Sequence, residues 1–286
     1  MEQRRIGDVQ VSALGIGGAQ WSLRDERDDE ASAALLERAL DLGVSYIDTA
    51  AAYTIAGVDG HNESLIAKVL CGRTDPVIVG TKGGHYRSGN TWPVDGRPET
   101  IRANCESSLR ALDVSELDLY YLHKPDPSVP FEDSVGTLEE LRREGKVART
   151  GISNVTESQV RDALAISPLS AVQNQLSPTN ITDLGTLRLC ESLEIAYVIY
   201  SPLGGVEGRR ALAAGLPNTR KLAAERDFSL ESVVLSWELS LSNFVIPVVG
   251  ASRLETLVDA LSASSSLLDD ELAKTLESEI ARLQPA

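Results

Sequence analysis

Cysteine is scarce in this chain of 286 residues. Its three cysteines, Cys71, Cys105 and Cys190, are far apart and form no Cys-x-x-Cys pair. An odd number of cysteines without the spacing of a disulfide framework is typical of reduced thiols. We therefore expect a cytoplasmic protein whose cysteines fill small buried spaces, with a reactive thiol as the alternative reading.

Histidine is equally scarce, and long apolar runs are missing. His61, His85 and His123 do not have the spacing of zinc ligands, so a metal site is not expected. No run approaches the roughly 18 apolar residues of a membrane span. The first five residues lack the apolar core of a signal peptide. The sequence therefore predicts neither a metal nor a membrane partner.

Positive charge is also in short supply. The chain has 27 Lys and Arg against 42 Asp and Glu, which gives a formal net charge of −15. Nucleic acids and anionic membranes are bound through a clustered positive field, so neither is an expected partner. With 42% hydrophobic and 24% charged residues, the composition is that of an ordinary globular protein. A phosphorylated ligand would have to be held by a few local groups.

Short apolar runs alternate with stretches of helical periodicity along the chain. The predicted strands are Ala13–Ile16, Ser45–Asp48, Val77–Thr81, Leu117–His123, Val147–Ile152, Ala171–Gln175, Ala196–Tyr200 and Phe244–Val249. The predicted helices are Glu30–Leu42, Glu63–Cys71, Pro98–Leu112, Phe131–Glu144, Glu157–Ile166, Asp183–Leu193, at least one more after Tyr200, and Asp269–Leu283. Before them, Arg4–Val11 predicts a hairpin with its turn at Gly7 and Asp8.

This alternation predicts the fold. Alternating strands and helices indicate a parallel sheet with crossover helices. Eight such units in a chain of this length fit a (β/α)₈ TIM barrel, an α/β fold, better than an open doubly wound sheet. No Gly-x-Gly-x-x-Gly follows the first strand, so a Rossmann phosphate loop is not supported. We predict one barrel domain, residues 1–286, with a short N-terminal β-hairpin and a C-terminal helix.

Polar side chains stand at or just after the carboxyl ends of three predicted strands, where a barrel places its catalytic residues. Asp48 ends the second strand, and Tyr53 follows it closely. Lys82 follows the third strand, and His123 ends the fourth. Each residue has a structural alternative: a helix cap for Asp48, a solvated loop position for Lys82, and packing for the two rings. Four such residues at successive strand ends are harder to explain as coincidences, so we interpret them as one site.

Proton transfer at a carbonyl oxygen is the chemistry that these four groups can share. A free tyrosine has a pKa near ~10, and a nearby ammonium lowers that value. A carboxylate keeps the lysine charged, and a histidine can orient a carbonyl through a hydrogen bond. The sequence has no nucleophile elbow and no metal motif, so such a site needs an external hydride donor.

Several segments around these residues resemble the aldo-keto reductase family. In the family's order they are Gly43–Tyr53, Val79–Lys82, Asp118–His123, Gly151–Asn154, Gln173–Gln175 and Tyr200–Gly204. The resemblance implies a barrel that binds NAD(P)(H) and a catalytic tetrad of Asp48, Tyr53, Lys82 and His123. It implies that Tyr53 is the general acid in reduction and the general base in oxidation. Lys82, paired with Asp48, would lower the pKa of Tyr53, and His123 would orient the substrate carbonyl.

The resemblance also implies a set of cofactor contacts. In chain order they are Gly18, Ser153, Asn154, Gln175, Tyr200, Ser201, Leu203, Gly250, Ser252, Arg253, Thr256 and Asp259. Ser153, Asn154 and Gln175 would hold the nicotinamide amide, and Tyr200 would stack on its ring. Ser201 and Leu203 would line the path of the pyrophosphate, and the residues from Gly250 onward would surround the adenosine end.

The adenosine end decides between NADP(H) and NAD(H). After the last strand, a helix begins whose free backbone amides can accept a phosphate. Many NADPH-dependent members carry an arginine where this chain has Thr256 and an asparagine where it has Ala260. Arg253 nevertheless lies within reach of a 2′-phosphate, so we favour NADP(H) and keep NAD(H) as the alternative. In the other reading, Arg253 is a solvated residue that touches no ligand.

The predicted substrate pocket is polar. Its candidate wall residues are Gln20, Trp21, His85, Tyr86, Lys124 and Asp126. Many members carry aromatic residues where this chain has Lys124 and Gly83-Gly84, so the resemblance favours a sugar-like or polyhydroxylated carbonyl over a steroid. Core packing is the alternative role of Trp21. The loop His85–Pro98 follows the third strand and is expected on the catalytic face.

The function that follows is an NADP(H)-dependent aldo-keto reductase acting on an aldehyde or ketone. One alternative is an NAD-dependent sugar or alcohol dehydrogenase on the same scaffold. The other is a cofactor-binding regulatory subunit with little turnover, against which the intact tetrad argues. We expect a monomer whose partner is a small carbonyl or alcohol substrate.

Overall fold

Ten strands lie in the part of the chain that the computed structural model describes, which is residues 1–24, 26–55, 58–89, 91–263 and 267–284. They are β1 Gln3–Ile6, β2 Val9–Ser12, β3 Gly15–Gly17, β4 Tyr46–Asp48, β5 Ile78–Gly83, β6 Leu119–Leu122, β7 Thr150–Ser153, β8 Ala171–Gln175, β9 Ala196–Tyr200 and β10 Val245–Val249. The predicted hairpin is β1 and β2. The eight predicted strands are β3 to β10, with β8 and β9 at the predicted bounds.

The strands β3 to β10 close into a barrel. Their order is β10-β3-β4-β5-β6-β7-β8-β9, and all neighbours are parallel. The register sets Asp48 opposite Gly80 and Lys82 opposite Tyr121. The predicted (β/α)₈ TIM barrel is thereby confirmed, and the polar ends of β4, β5 and β6 lie side by side.

Twelve helices accompany the strands in the described residues. They are α1 Ala19–Leu23, α2 Asp29–Asp41, α3 His61–Leu70, α4 Pro98–Leu112, α5 Phe131–Arg143, α6 Glu157–Leu164, α7 Leu184–Ser192, α8 Gly205–Gly215, α9 Pro217–Glu225, α10 Leu230–Leu241, α11 Leu254–Leu261 and α12 Asp270–Leu283. The sequence did not predict α1, because five residues are too few to show helical periodicity. None of these described helices is long and apolar enough to cross a membrane.

Local signals explain where several helices begin and end. Thr156 and Gln159 form a reciprocal capping box that starts α6. Gly43 and Gly145 follow α2 and α5 with φ of 92° and 73°, a conformation that L side chains rarely adopt. The predicted start of α7 is right in position, but the Asp183 side chain caps no backbone amide and binds other side chains.

The hairpin fills one end of the barrel. Ile6 and Val11 are fully buried, and they belong to one apolar cluster with Tyr46, Leu119 and Ile246, which stand near the amino ends of their strands. Burying such a side chain contributes roughly 1.5–3 kcal/mol. Because this end is packed with side chains, a ligand site is left to the opposite end, where the strands finish.

Candidate active site

A cavity of about 780 Å³ opens at the carboxyl ends of the barrel strands. Asp48, Tyr53 and His123 belong to its wall. Lys82 does not, since its side chain is only 1% exposed, but it contacts Asp48 directly. The structure therefore brings together the four residues that the sequence placed at strand ends.

Asp48 and Lys82 form a buried ion pair. Lys82 Nζ donates to Asp48 Oδ1 at 2.6 Å and to the Thr49 carbonyl at 2.8 Å. Gln173 Nε2 donates to the same Asp48 oxygen at 2.7 Å. Burial lowers the pKa of Lys82, while the carboxylates of Asp48 and Glu63 act in the opposite direction. Glu63, which the sequence reading missed, accepts a hydrogen bond from the hydroxyl of Thr81 beside Lys82.

Tyr53 presents its hydroxyl without a hydrogen bond to any described residue, and its ring lies close to both Lys82 and His123. Lys82 Nζ is 5.4 Å from the centroid of the Tyr53 ring, and the His123 ring centroid is 6.0 Å away in an edge-to-face arrangement. Burial raises the pKa of Tyr53 well above its usual value, and the charge of Asp48 raises it further. The Lys82 ammonium is bound to Asp48 and the Thr49 carbonyl, and its lowering of the Tyr53 pKa stays a prediction. With burial raising its pKa, Tyr53 is a neutral phenol at neutral pH.

His123 is held by its backbone between two neighbouring strands. Its amide donates to the Gly83 carbonyl at 2.9 Å, and its own carbonyl accepts from Asn154 Nδ2 at 3.0 Å. Burial moves the pKa of His123 well below its usual value, and the positive charge of Lys82 adds to the effect. The imidazole is consequently neutral in the pH range where most enzymes work.

Most of the predicted cofactor residues line this cavity. They are Ser153, Asn154, Tyr200, Ser201, Leu203, Gly250, Ser252, Arg253, Thr256 and Asp259. Two predicted cofactor residues are outside the wall of the described cavity, and their contact with a cofactor stays a prediction. Gly18 is not in the wall, where Gly17 stands instead. A Cβ at Gly18 would clash with the Asn62 side chain, so the absence of a side chain here allows close packing. Gln175 is also absent from the wall, where Gln173 stands instead.

The nicotinamide-facing candidates are already connected to each other. Tyr200 Oη donates to Asn154 Oδ1 at 2.7 Å, and Asn154 Nδ2 donates to Ser153 Oγ at 3.1 Å. Asn154 has a φ of 59°, which is uncommon for a residue other than glycine. A side chain held in this way can offer amide and hydroxyl groups to a planar carboxamide. The residues present therefore fit a nicotinamide group.

Three arginines, Arg24, Arg209 and Arg253, line the cavity, and only Arg253 was predicted. Arg24 follows α1 and Arg209 lies on α8. None of the three forms an ion pair with a described residue. Arg253 also makes no side-chain capping bond at the start of α11, so the first amides of that helix stay free for an anion. These groups fit a ligand that carries several phosphates.

Three of the predicted substrate residues are in the cavity wall. Gln20, His85 and Lys124 belong to it. Trp21 is 3% exposed and packs in the apolar core, which confirms its alternative role. Tyr86 is 46% exposed and lies outside the wall.

Asp126 is a further correction. This carboxylate accepts hydrogen bonds from the backbone amides of Gly96 and Ser128, so it braces two loops and is not part of the described cavity wall.

The segment from Gly84 to Asp95 forms a folded arm beside the cavity, described apart from residue 90. The Tyr86 amide donates to the Pro93 carbonyl, and the Asp95 amide donates to the Gly84 carbonyl. Arg87 Nη1 donates to the Thr54 carbonyl at 2.9 Å, which joins the arm to the turn that carries Tyr53. The loop predicted on the catalytic face therefore has internal structure of its own.

Comparison with known proteins agrees with this geometry. A model of the Aldo/keto reductase family matches residues 13–281. An uncharacterized oxidoreductase of Schizosaccharomyces pombe is 31% identical over 280 residues, which cover 96% of this chain and 89% of that protein. Probable aldo-keto reductase 1 of Glycine max is 30% identical over 292 residues, with 92% and 83% covered. The structure of the glycerol dehydrogenase AKR11B4 from Gluconobacter oxydans superposes with a TM-score of 0.84 at 25% identity, covering 99% of this chain and 97% of that one.

Proposed function

Since the chain belongs to the aldo-keto reductase family and is an oxidoreductase of carbonyl and alcohol groups, we propose that it is an NADP(H)-dependent reductase in which Tyr53 donates the proton. The observation that supports this most is the buried pair of Asp48 and Lys82 beside a tyrosine hydroxyl that has no hydrogen bond to any described residue. A neutral phenol in the cavity wall with no such hydrogen bond can donate its proton to a bound substrate.

In reduction, the substrate oxygen binds at the Tyr53 hydroxyl. When bound, the nicotinamide supplies the hydride to the substrate carbon in reduction and accepts it in oxidation. The Tyr53 hydroxyl transfers its proton to the oxygen as negative charge develops there. The Lys82 ammonium, 5.4 Å from the ring centroid, stabilises the phenolate that remains. Asp48 and the Thr49 carbonyl hold this ammonium in place.

The proposed cofactor is NADP(H). Its support is the presence of Arg24, Arg209 and Arg253 in the cavity wall, without ion pairs to described residues. Arg253 and the free amides at the start of α11 would take the 2′-phosphate, with Thr256 beside them. Asp259 is less suited to bind the adenosine, because it already accepts a hydrogen bond from Ser229.

A second candidate is a dehydrogenase that oxidises a polyol with NAD⁺ in the same site. The observation in its favour is the similarity to the glycerol dehydrogenase of Gluconobacter oxydans. Oxidation needs the Tyr53 phenolate, and burial raises the pKa of that hydroxyl. Oxidation should therefore speed up steadily above neutral pH, whereas reduction should not.

The test is cofactor turnover on a panel of polar and apolar aldehydes, comparing wild type with Tyr53→Phe. We expect NADPH consumption by the wild type and a loss of at least 100-fold in kcat for the variant, the lower range of a general acid's contribution. Tyr86→Phe is the matched control, because that tyrosine is exposed and outside the cavity wall. Equal activity of wild type and Tyr53→Phe would refute the role of Tyr53.

The remaining parts of the proposal concern the setting of the enzyme. We propose a cytoplasmic monomer whose partner is a small polar carbonyl compound or its alcohol. Sedimentation at micromolar concentration tests the monomer, and localisation of the tagged protein tests the compartment.

A further inference from the structure

The hydrogen bond between Asp48 and Gln173 fixes the orientation of a side-chain amide in the cavity wall. Asp48 Oδ1 accepts from the Lys82 ammonium at 2.6 Å and from Gln173 Nε2 at 2.7 Å. A carboxylate paired with an ammonium is ionised, and an ionised carboxylate only accepts hydrogen bonds. The nitrogen of the Gln173 amide must therefore face Asp48, since the amide oxygen would place two acceptors against each other. Gln173 Oε1 consequently faces away from Asp48.

This oxygen is left as an acceptor for a ligand. Gln173 is only 2% exposed, and it lines the cavity. No described residue donates a hydrogen bond to its Oε1 atom. Polar groups at such low exposure are rarely left without partners in native proteins. A ligand that enters the cavity and carries an N–H group can supply the missing hydrogen bond.

A hydrogen-bond donor lies next to this acceptor. Ser153 on β7 pairs in register with Gln173 on β8, and both residues line the cavity. Ser153 Oγ accepts from Asn154 Nδ2 at 3.1 Å, so its own hydroxyl hydrogen remains to be donated. Asn154 adds no donor, because its second Nδ2 hydrogen goes to the His123 carbonyl at 3.0 Å. The wall thus offers one donor at Ser153 and one acceptor at Gln173, on neighbouring strands.

This pattern matches a carboxamide and opposes a carboxylate. The oxygen of a carboxamide can accept from Ser153, while its NH₂ group can donate to Gln173 Oε1. A carboxylate of the same shape has two acceptor oxygens and no hydrogen. One of these oxygens would meet Gln173 Oε1, and the amide cannot turn over while Asp48 holds its nitrogen.

We propose that Asp48 is a positioning residue for the cofactor, which holds Gln173 Oε1 toward the nicotinamide and makes the site select a carboxamide over a carboxylate. This inference rests on the proposed function, because it takes the ligand of this wall to be a nicotinamide. Asp48 Oδ1 then has two tasks. It holds the Lys82 ammonium beside Tyr53, and through Gln173 it sets the contact with the cofactor.

The test measures binding without turnover. Isothermal titration calorimetry compares NADP⁺ with nicotinic acid adenine dinucleotide phosphate, in which a carboxylate replaces the carboxamide. The rest of the two molecules is identical, so the ratio of their Kd values reports on this one group. We expect the wild type to bind NADP⁺ at least about tenfold more tightly, the effect of leaving one buried polar group without a partner.

A set of variants isolates the oxygen of Asp48. Lys82→Met removes the ammonium but leaves Asp48 Oδ1 for Gln173, so it should keep the wild-type ratio. Lys82→Met/Asp48→Leu also removes that oxygen, which frees the amide to turn, and the ratio should fall about tenfold. Asp48→Asn keeps an oxygen that both donors can share, and it should keep the ratio although the charge is lost. A loss of general packing would not be rescued in this way.

The two glutamines of β8 supply a matched pair of controls. Gln173→Met should lower the ratio as the double variant does. Gln175→Met, outside the described cavity wall, should leave it unchanged. Circular dichroism shows whether each variant is folded. Lys82→Met/Asp48→Ala removes the same oxygen without adding bulk, and it repeats the comparison if the leucine variant does not fold.

These outcomes separate the inference from the proposed function. If the wild type binds both nucleotides equally, or if a folded variant without Asp48 Oδ1 keeps the wild-type ratio, the role of Asp48 in cofactor selection is overturned while the Tyr53 mechanism stands. If Tyr53→Phe retains full turnover, the proposed function fails, whereas the ratio still reports on Asp48. If NAD⁺ binds more tightly than NADP⁺, the ratio is read with NAD⁺ and its nicotinic acid analogue, and the same expectations hold.

Discussion

The buried pair of Asp48 and Lys82 makes Asp48→Asn a sharp perturbation. Asparagine keeps the shape of the side chain and an oxygen that can accept from Lys82 and Gln173, so the change removes little besides the negative charge. It leaves an ammonium that is 1% exposed with only neutral acceptors, among them the Thr49 carbonyl at 2.8 Å. Breaking a buried pair by removing one partner costs about 3–5 kcal/mol. We therefore expect Asp48→Asn to lower the free energy of unfolding by about this amount.

The stability that Asp48→Asn loses should depend on pH, because Lys82 no longer carries an unpaired buried charge once it has lost its proton. Burial already lowers the pKa of Lys82, and the loss of Asp48 lowers it further. A folded-state pKa below the unfolded value means that the unfolded chain binds more protons, so stability rises with pH through this range. The deficit of Asp48→Asn relative to wild type should shrink between pH 7 and pH 9. The double variant Asp48→Asn/Lys82→Met should recover part of the loss at pH 7.

Urea unfolding followed by circular dichroism and tryptophan fluorescence measures these values, and agreement of the two probes tests two-state behaviour. The matched control is Glu225→Gln, which breaks an exposed pair with Lys221 at 3.8 Å. Exposed ion pairs between residues four apart on a helix contribute about 0.3–0.5 kcal/mol. A deficit for Asp48→Asn no larger than that of the control, or one that grows with pH, would refute the reasoning.

Two further stability changes and one change in binding follow from the same structure. Glu238 is fully buried with no partner for either carboxylate oxygen among the described residues, and burial raises its pKa. The free energy of unfolding should therefore fall as pH rises above about 4.5, by up to about 1.4 kcal/mol per pH unit. Glu238→Gln should remove this fall when urea unfolding is compared at pH 5 and pH 8. Glu279 accepts hydrogen bonds from backbone amides and side chains at the start of α9, so Glu279→Gln should lower the free energy of unfolding by about 2 kcal/mol. Burial raises the pKa of Glu279, but these hydrogen bonds outweigh it and leave the pKa lowered. The stability difference between wild type and variant should therefore disappear as pH falls below the usual pKa of a glutamate. Arg209→Met and Arg253→Met should each weaken NADPH binding more than NADH binding in fluorescence titrations, while Arg210→Met, outside the cavity wall, should change neither.

The strand pattern predicted the barrel because its strands are buried on both faces. Some strands are continuous runs of strand-forming residues between turn signals, so their predicted bounds agree with the structure. They are Ala171–Gln175 and Ala196–Tyr200. The tetrad was predicted for a related reason, since a parallel barrel gathers all its strand ends on one face. Local sequence carries both signals.

Local sequence does not show how far along a strand a side chain lies, or which distant segments it meets in the fold. Gln173 and Gln175 share one face of β8, and only the hydrogen bond between Gln173 and Asp48 shows which of them reaches the cavity. Arg209 enters the wall from α8, a helix that the sequence reading did not resolve. Trp21 was a candidate for the pocket wall with core packing as its alternative, and only the fold shows that its ring is buried in the apolar core.

The net charge of −15 is a sum over the whole chain, whereas a bound phosphate would interact mainly with the groups next to it. At physiological salt, charges more than about 8 Å apart at the surface are largely screened from each other. Carboxylates elsewhere on the barrel therefore do little to a ligand that is inside the cavity. Arg24, Arg209 and Arg253 line that cavity, and described carboxylates neutralise none of them by a direct ion pair. An acidic chain can thus bind a polyphosphate, provided that its few cations at the site are left uncompensated.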